Sequence, residues 1–237
     1  MMRTLLAALG AALLIASPCA AQDTTGADAG MAMDQAMAGR MVEDLHMVMT
    51  PRYPASPADS ARADAIVTQV RRTLARYRDV RAAVADGYTA FLPRVRQPVY
   101  HYTSYANAAR ARRTFDIARP TSLLYRPDGS GGFTLIGVMY TAQRGASLEE
   151  LDRRIPLSIA RWHQHVNWCL PPAGERRRWL ETRDGAPVFG PKSPIATREA
   201  CDAVGGRFVP QLFGWMVHVQ AFESDDPAVI WSHAGHD

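Results

Sequence analysis

The sequence predicts an α+β fold, a mostly antiparallel sheet with a long N-terminal helix packed against it. Three observations support this class. A helical apolar period runs through residues 57–85, short β-prone segments follow it, and the elements run in the order helix, strand, helix, hairpin, strand, helix, strand. The chain has 237 residues, and one domain over residues 51–232 is the simplest organisation.

The first 21 residues have the pattern of a secretory signal peptide. Arg3 supplies the positive start, residues 5–16 are apolar or small, and Ala20 and Ala21 offer small side chains for cleavage before Gln22. The apolar run is too short for a membrane span, which needs about 20 residues. We therefore expect cleavage near Ala21 and a periplasmic or secreted mature protein.

Residues 22–50 are predicted to form a flexible, Met-rich leader. The first part is rich in Gly, Ala and Asp without apolar periodicity, and Met33, Met37 and Met41 then recur every four residues, as on one stripe of a short helix. These methionines either fill an irregular apolar groove or capture Cu(I), for which thioethers are suitable soft ligands. At the other end, residues 233–237, with His233 and His236, are expected to form a frayed tail.

The long helix has recognisable start and stop signals. Ser56 can cap its first turn, Pro57 suits the first helical position, Asp79 can restart the helix after a bend, and Gly87 can end it in the left-handed conformation. One face is apolar and carries Ile66, Val70, Leu74 and Tyr77.

The remaining elements are shorter. Apolar, β-prone runs predict strands over residues 99–103, 122–125, 133–140, 159–169 and 214–222. Residues 127–132 are Pro, Asp, Ser and Gly, which predicts a hairpin between the second and third of these strands. Short helices are predicted over residues 107–114, 148–153 and 197–204, and a loop over residues 176–190.

Charge limits the classes of partner. The formal net charge is +4, and clusters such as the three arginines at residues 176–178 are typical of solvated faces. This balance does not indicate nucleic acid binding, and no segment after the signal is apolar enough for a membrane span. The expected partner is a metal ion or a small molecule.

Two cysteines remain after removal of the signal peptide, Cys169 and Cys201. In an oxidising compartment an even pair predicts a disulfide, which would stabilise the fold by about 3–4 kcal/mol on the chain-entropy model. The alternative makes Cys169 a thiolate ligand or a nucleophile.

The candidate metal-binding residues are histidines on the predicted strands. Side chains two apart on a strand share a face, so His163 and His165 lie on one side with Asn167 and Cys169. The opposite side carries Trp162, Val166 and Trp168. By the same alternation His218 shares a face with Met216 and Gln220, opposite Trp215, Val217 and Val219.

The same alternation isolates His101 from its aromatic neighbours and puts Leu135, Gly137 and Met139 on one face of the hairpin. If these strands are neighbours, four histidines line one surface. His101, His165 and His218 are the preferred metal ligands, His163 is the fourth, and Met139 or Met216 is a candidate axial donor.

Imidazole and thioether ligands favour Cu or Zn as the cofactor. The chain contains neither a His-Glu-x-x-His motif nor paired Cys-x-x-Cys motifs, so the familiar zinc signatures do not assign it. The alternative is that each histidine completes a polar network in the core or lies at the surface.

Several motifs together resemble a group of exported bacterial proteins of unknown function. They are Tyr-Arg-Asp-Val at 77–80, Asp-Gly-Tyr at 86–88, His101-Tyr102, Arg-Pro-Thr-Ser-Leu-Leu-Tyr at 119–125, Trp-His-Gln-His-Val-Asn-Trp-Cys at 162–169 and Phe-Gly-Trp-Met-Val-His-Val at 213–219. The resemblance covers most of residues 50–231 and implies one family unit, hence one domain. It implies no activity.

Three functions fit these observations. The first is a periplasmic metal-binding protein, with copper handling as one form of it. The second is a metal-dependent enzyme at the same site, in which a metal-bound water is the nucleophile. The third is a non-catalytic ligand-binding or structural domain.

Overall fold

The computed structural model describes residues 41–93 and 96–233, which form an antiparallel sheet and six α-helices. In chain order the strands of the main sheet are β1 (Met41–Asp44), β2 (Met47–Met49), β3 (Thr89–Ala90), β4 (Tyr100–Thr103), β5 (Ser122–Pro127), β6 (Phe133–Ala142), β7 (His163–Leu170), β10 (Arg207–Gln211) and β11 (Trp215–Val219). The remaining two strands, β8 (Thr182–Arg183) and β9 (Ala186–Pro187), pair with each other in a separate ribbon. The nine-stranded sheet runs in the order β1-β2-β7-β11-β6-β5-β4-β3, and β10 also pairs with β7.

The helices are short except for the first. They are α1 (Pro57–Leu74), α2 (Val80–Ala85), α3 (Tyr105–Ala111), α4 (Leu148–Arg154), α5 (Arg198–Ala203) and α6 (Pro227–Ile230), with 3-10 turns at Ala75–Arg78 and Arg176–Leu180. The fold class predicted from the sequence is therefore confirmed, but the long helix is not the N-terminal element. Two strands, β1 and β2, precede it.

The start and the bend of the long helical segment follow the predicted signals. The Ser56 side chain accepts a hydrogen bond from the Asp59 amide, and Pro57 occupies the first turn. After the 3-10 turn, the Asp79 side chain accepts from the Arg81 amide and starts α2. Gly87 then turns the chain at a φ of 86°.

One face of the sheet packs against α1, and we call it the helix face. The buried side of α1, which includes Val70 and Leu74, belongs to the same apolar cluster as one row of sheet side chains. Those sheet residues are Leu123, Val138, Tyr140, Val217 and Val219, with Trp162 and Trp215 beside them. Burying each large apolar side chain contributes about 1.5–3 kcal/mol, so this layer is the main source of stability.

The opposite face of the sheet, the histidine face, contains Met139, Met216 and His218. A bulge in β6 changes the face assignment predicted from the sequence. The pairing of β5 with β6 shifts between Leu124 and Tyr125, so Leu135 joins the cluster on the helix face while Ile136 packs with Met139. Strict alternation wrongly placed Leu135 beside Met139 because a bulge inserts one residue into a strand.

The Met-rich segment at residues 41–49 forms a hairpin, β1 and β2, and β2 pairs with β7. The sequence places these residues in a flexible leader, but they belong to the sheet. Met33 and Met37 of the predicted helical stripe, and the predicted signal peptide, lie outside the described residues. Among residues 41–93 and 96–233 no helix has the length and apolar character needed to cross a membrane.

A disulfide joins Cys169 in β7 to Cys201 in α5, which confirms the predicted pair. Both cysteines are fully buried in a small cluster with Val188 and Phe189. The bond excludes the alternative in which Cys169 is a thiolate ligand or nucleophile. It also fixes the position of α5 against the sheet, because α5 packs beside β7 and β10.

Gly137 allows β6 and the end of β11 to approach closely. A Cβ atom built on it would collide with the carbonyl oxygen of Val219. Gly137→Ala is expected to lower the free energy of unfolding by about 1–3 kcal/mol, as overpacking does in a rigid core. Chemical denaturation measures this change. Gly145→Ala is the matched control because its Cβ would meet nothing within 4 Å; equal stability of both variants would contradict the prediction.

Alkaline pH should destabilise the fold through its buried tyrosines. Burial raises the pKa of Tyr140 well above its usual range, and burial likewise raises the pKa of Tyr88 and Tyr125. The folded state therefore keeps these protons after the unfolded chain loses them, so their contribution is complete below about pH 10 and falls as the pH rises further.

The expected result is a free energy of unfolding that declines above about pH 10, with a shallower decline in Tyr140→Phe than in the parent. Tyr105→Phe is the control, because Tyr105 is 66% exposed. Denaturation curves at several pH values test this, and identical slopes for the parent and Tyr140→Phe would refute it.

Candidate metal centre

Neighbouring strands bring His163 and His218 together. Met216 in β11 lies directly opposite His163 in β7, so these two residues share the histidine face. His218 is two positions further along β11 and therefore projects to the same side. The imidazole centroids of His163 and His218 are 5.1 Å apart, and their residues are 1% and 5% exposed.

A third imidazole comes from the segment after α6. The Gln220 amide donates to the Ile230 carbonyl, and the Gln220 side chain donates to the carbonyl and the hydroxyl oxygen of Ser232 at 3.1 and 2.8 Å. These bonds hold the segment against the end of β11. They place the ring of His233 4.2 Å from that of His163, measured between centroids.

The three imidazoles form a group that could hold a metal ion. One ring nitrogen from each of His163, His218 and His233 lies within 4.8 Å of the other two. Tetrahedral coordination at about 2.0–2.1 Å separates ligand nitrogens by about 3.4 Å. Small side-chain rotations that bring the ring nitrogens closer would give this separation, so the residue types fit a common ion.

His101 and His165 flank this group without belonging to it. The His101 ring lies 5.6 Å from that of His218, and the His165 ring lies 5.5 Å from that of His163. The structure therefore gathers all four predicted histidines on the histidine face. However, it combines His163 and His218 with His233, not with the preferred His101 and His165.

The position of His101 shows that the sheet curves strongly. His101 is in β4, and β5 and β6 lie between it and β11. Three strand spacings correspond to about 14 Å across a flat sheet, yet the rings of His101 and His218 are 5.6 Å apart. The histidine face is therefore concave, and residues that are distant along the sheet meet inside it.

Aromatic rings border the histidines on the His165 side. The Phe213 ring lies 6.5 Å from His165 and 6.2 Å from Phe91, which follows β3. The Trp168 ring is 5.5 Å from His165. Contact between Phe91 and Phe213 brings the far edge of the sheet close to the start of β11, as expected for a curved sheet.

The two predicted axial donors are close to the group in the sheet. Met216 is directly opposite His163, and Met139 in β6 is directly opposite His218. Both are at least 93% buried and pack with Val99, Leu124 and Ile136. Asn167 and Cys169 do not extend the metal group. Asn167 adopts a φ of 58°, which interrupts the regular alternation of side chains along β7, and Cys169 is in the disulfide.

Sequence reasoning missed His233, which it assigned to a frayed tail. The Asp226 cap and Pro227 at the start of α6 were the available local signal that the chain folds again after β11. His46, in contrast, has a structural role. Its Nε2 is 2.5 Å from the Ser193 carbonyl oxygen, and its Nδ1 is 3.4 Å from that of Val166.

Comparisons of the chain with protein-family models, curated proteins and solved structures find no match. The geometry of the histidine face is therefore the basis on which a function is assigned.

Gln220 should control the order of the segment that carries His233. In Gln220→Ala the two side-chain hydrogen bonds to Ser232 are lost. Amide hydrogen exchange around residues 230–233 should accelerate about tenfold, because each such bond contributes about 0.5–1.5 kcal/mol. Exchange measured by mass spectrometry tests this. Gln143→Ala, at an exposed position, is the control, and unchanged exchange in Gln220→Ala would show that other contacts hold the segment.

Proposed function

We propose that this protein works outside the cytoplasm as a transition-metal-binding protein and that His163, His218 and His233 hold the ion. The observation that carries the proposal is the convergence of three imidazoles from β7, β11 and the segment after α6. Neutral imidazole is a common ligand of Cu and Zn, and three such ligands are enough for a specific site. Export rests on the signal pattern in residues 1–21, and the disulfide is consistent with an oxidising compartment.

Burial favours binding over catalysis. Three histidine ligands leave a fourth coordination position, which is the arrangement of a hydrolytic zinc site. A substrate must reach that position, and His163 and His218 are almost completely enclosed. We therefore place metal binding or handling ahead of a metal-dependent enzyme at the same site.

Metal stoichiometry tests the proposal. Purified mature protein, stripped with a chelator and reloaded with Zn(II) or, under anaerobic conditions, Cu(I), should bind one ion per chain. His163→Ala and His218→Ala should each weaken binding at least 100-fold, because two remaining imidazoles form an incomplete site. Elemental analysis and competition with a chromophoric chelator measure both quantities.

His46→Gln is the control, because His46 is a buried histidine outside the three-imidazole group. It should keep full metal binding. Thermal unfolding of each metal-free variant shows that it is folded. Retention of one tightly bound ion in both His163→Ala and His218→Ala would reject the proposal.

A further inference from the structure

Buried methionines lie directly opposite the histidines of the site. His163 in β7 faces Met49 in β2 on one side and Met216 in β11 on the other. The same register puts Met47 opposite His165 and Met139 opposite His218. Each of these histidines therefore has a thioether on the neighbouring strand.

Cross-strand partners project to the same face of a sheet, with Cβ atoms about 4.5–5.5 Å apart. A methionine side chain has three rotatable bonds, so its sulfur can extend over a neighbouring residue. Met49 and Met216 are 3% and 5% exposed. The side chains of Met49 and Met216, with their sulfur atoms, are therefore buried on the strands that flank His163.

All four of these methionines are buried. Met139 and Met216 belong to a buried apolar cluster with Val99, Leu124 and Ile136. Met47 and Met49 are equally buried, and they lie opposite His165 and His163 in the register of β2 with β7.

The charge of the ligand group restricts the ion. The three residues that could hold it are all histidines, and neutral imidazoles leave the full charge of the ion in place. Transferring a charge from water into a buried site is unfavourable, and the penalty in the Born description rises with the square of the charge. A site of neutral ligands therefore imposes a smaller desolvation penalty on a monovalent ion than on a divalent one, although three imidazoles also hold Zn(II).

We infer that the ion of the proposed metal site is Cu(I), held by the imidazoles together with one thioether, that of Met49 or of Met216. Soft sulfur ligands select Cu(I), whereas Zn(II) is satisfied by imidazoles alone. This inference rests on the proposed function and specifies its metal. It predicts that removing the sulfur atoms weakens Cu(I) binding and leaves Zn(II) binding in place.

The test compares the parent with Met49→Leu/Met216→Leu, which exchanges sulfur for carbon at similar volume. Cu(I) affinity is measured anaerobically by competition with a chromophoric chelator, and Zn(II) affinity by calorimetry. The double variant should lose Cu(I) affinity at least tenfold and keep Zn(II) affinity within threefold. Met47→Leu, which is buried opposite His165 outside the three-imidazole group, is the matched control and should keep both.

Other outcomes separate the two proposals. Unchanged Cu(I) affinity in the double variant, or an equal loss for both metals, overturns the thioether ligand, while the dependence on His163 still decides the metal site. A parent protein that binds neither ion overturns both. X-ray absorption at the copper edge of the loaded parent gives a readout independent of folding: a sulfur scatterer is expected, and a shell of nitrogen alone overturns the inference.

Discussion

The register of β7 between β2 and β11 is the constraint on which the histidine face depends. His163 is paired on both sides, and Trp162, the residue before it, is fully buried in the cluster on the helix face. A slip of one residue would move every side chain of a strand to the other face. Trp162 would then leave the core and His163 would enter it, so the large apolar cluster fixes the orientation of the imidazoles.

The histidine face also depends on the curvature of the sheet, and this curvature originates outside the group of histidines. The bulge in β6 disturbs the regular pairing with β5, and bulges bend and twist the strand that carries them. Gly137, next to the bulge, admits the Val219 backbone at a distance that no other residue would allow. Together they let the β4 end of the sheet turn toward β11, and His101 reaches His218 as a result.

The sequence predicted those features that depend on local alternation and on capping. The opposite faces of β11, with Val217 and Val219 on one side and Met216 and His218 on the other, follow from the strand period alone. The start of α1 at Ser56 and Pro57 follows from the chemistry of a helix N-terminus. The disulfide was predicted from the two cysteines that follow the predicted signal peptide and from an assumed oxidising compartment.

The remaining features depend on contacts between distant parts of the chain. β2 is three residues long and is held by β7, more than 110 residues away, so its own sequence carries little strand signal. β10 contains Pro210, which disfavours a strand in sequence reasoning although it is tolerated at an edge. His233 is positioned by the bonds between Gln220 and Ser232, and no local pattern indicates them.

The chain order of the three imidazoles has a consequence for biogenesis. His163 and His218 lie on paired strands, but His233 follows α6 and is put in place only when that segment has docked on Gln220. Since a polypeptide is made from its N-terminus, a growing chain lacks the third imidazole. An incomplete chain therefore cannot assemble this trio, and the three imidazoles come together only in molecules that have already built the sheet.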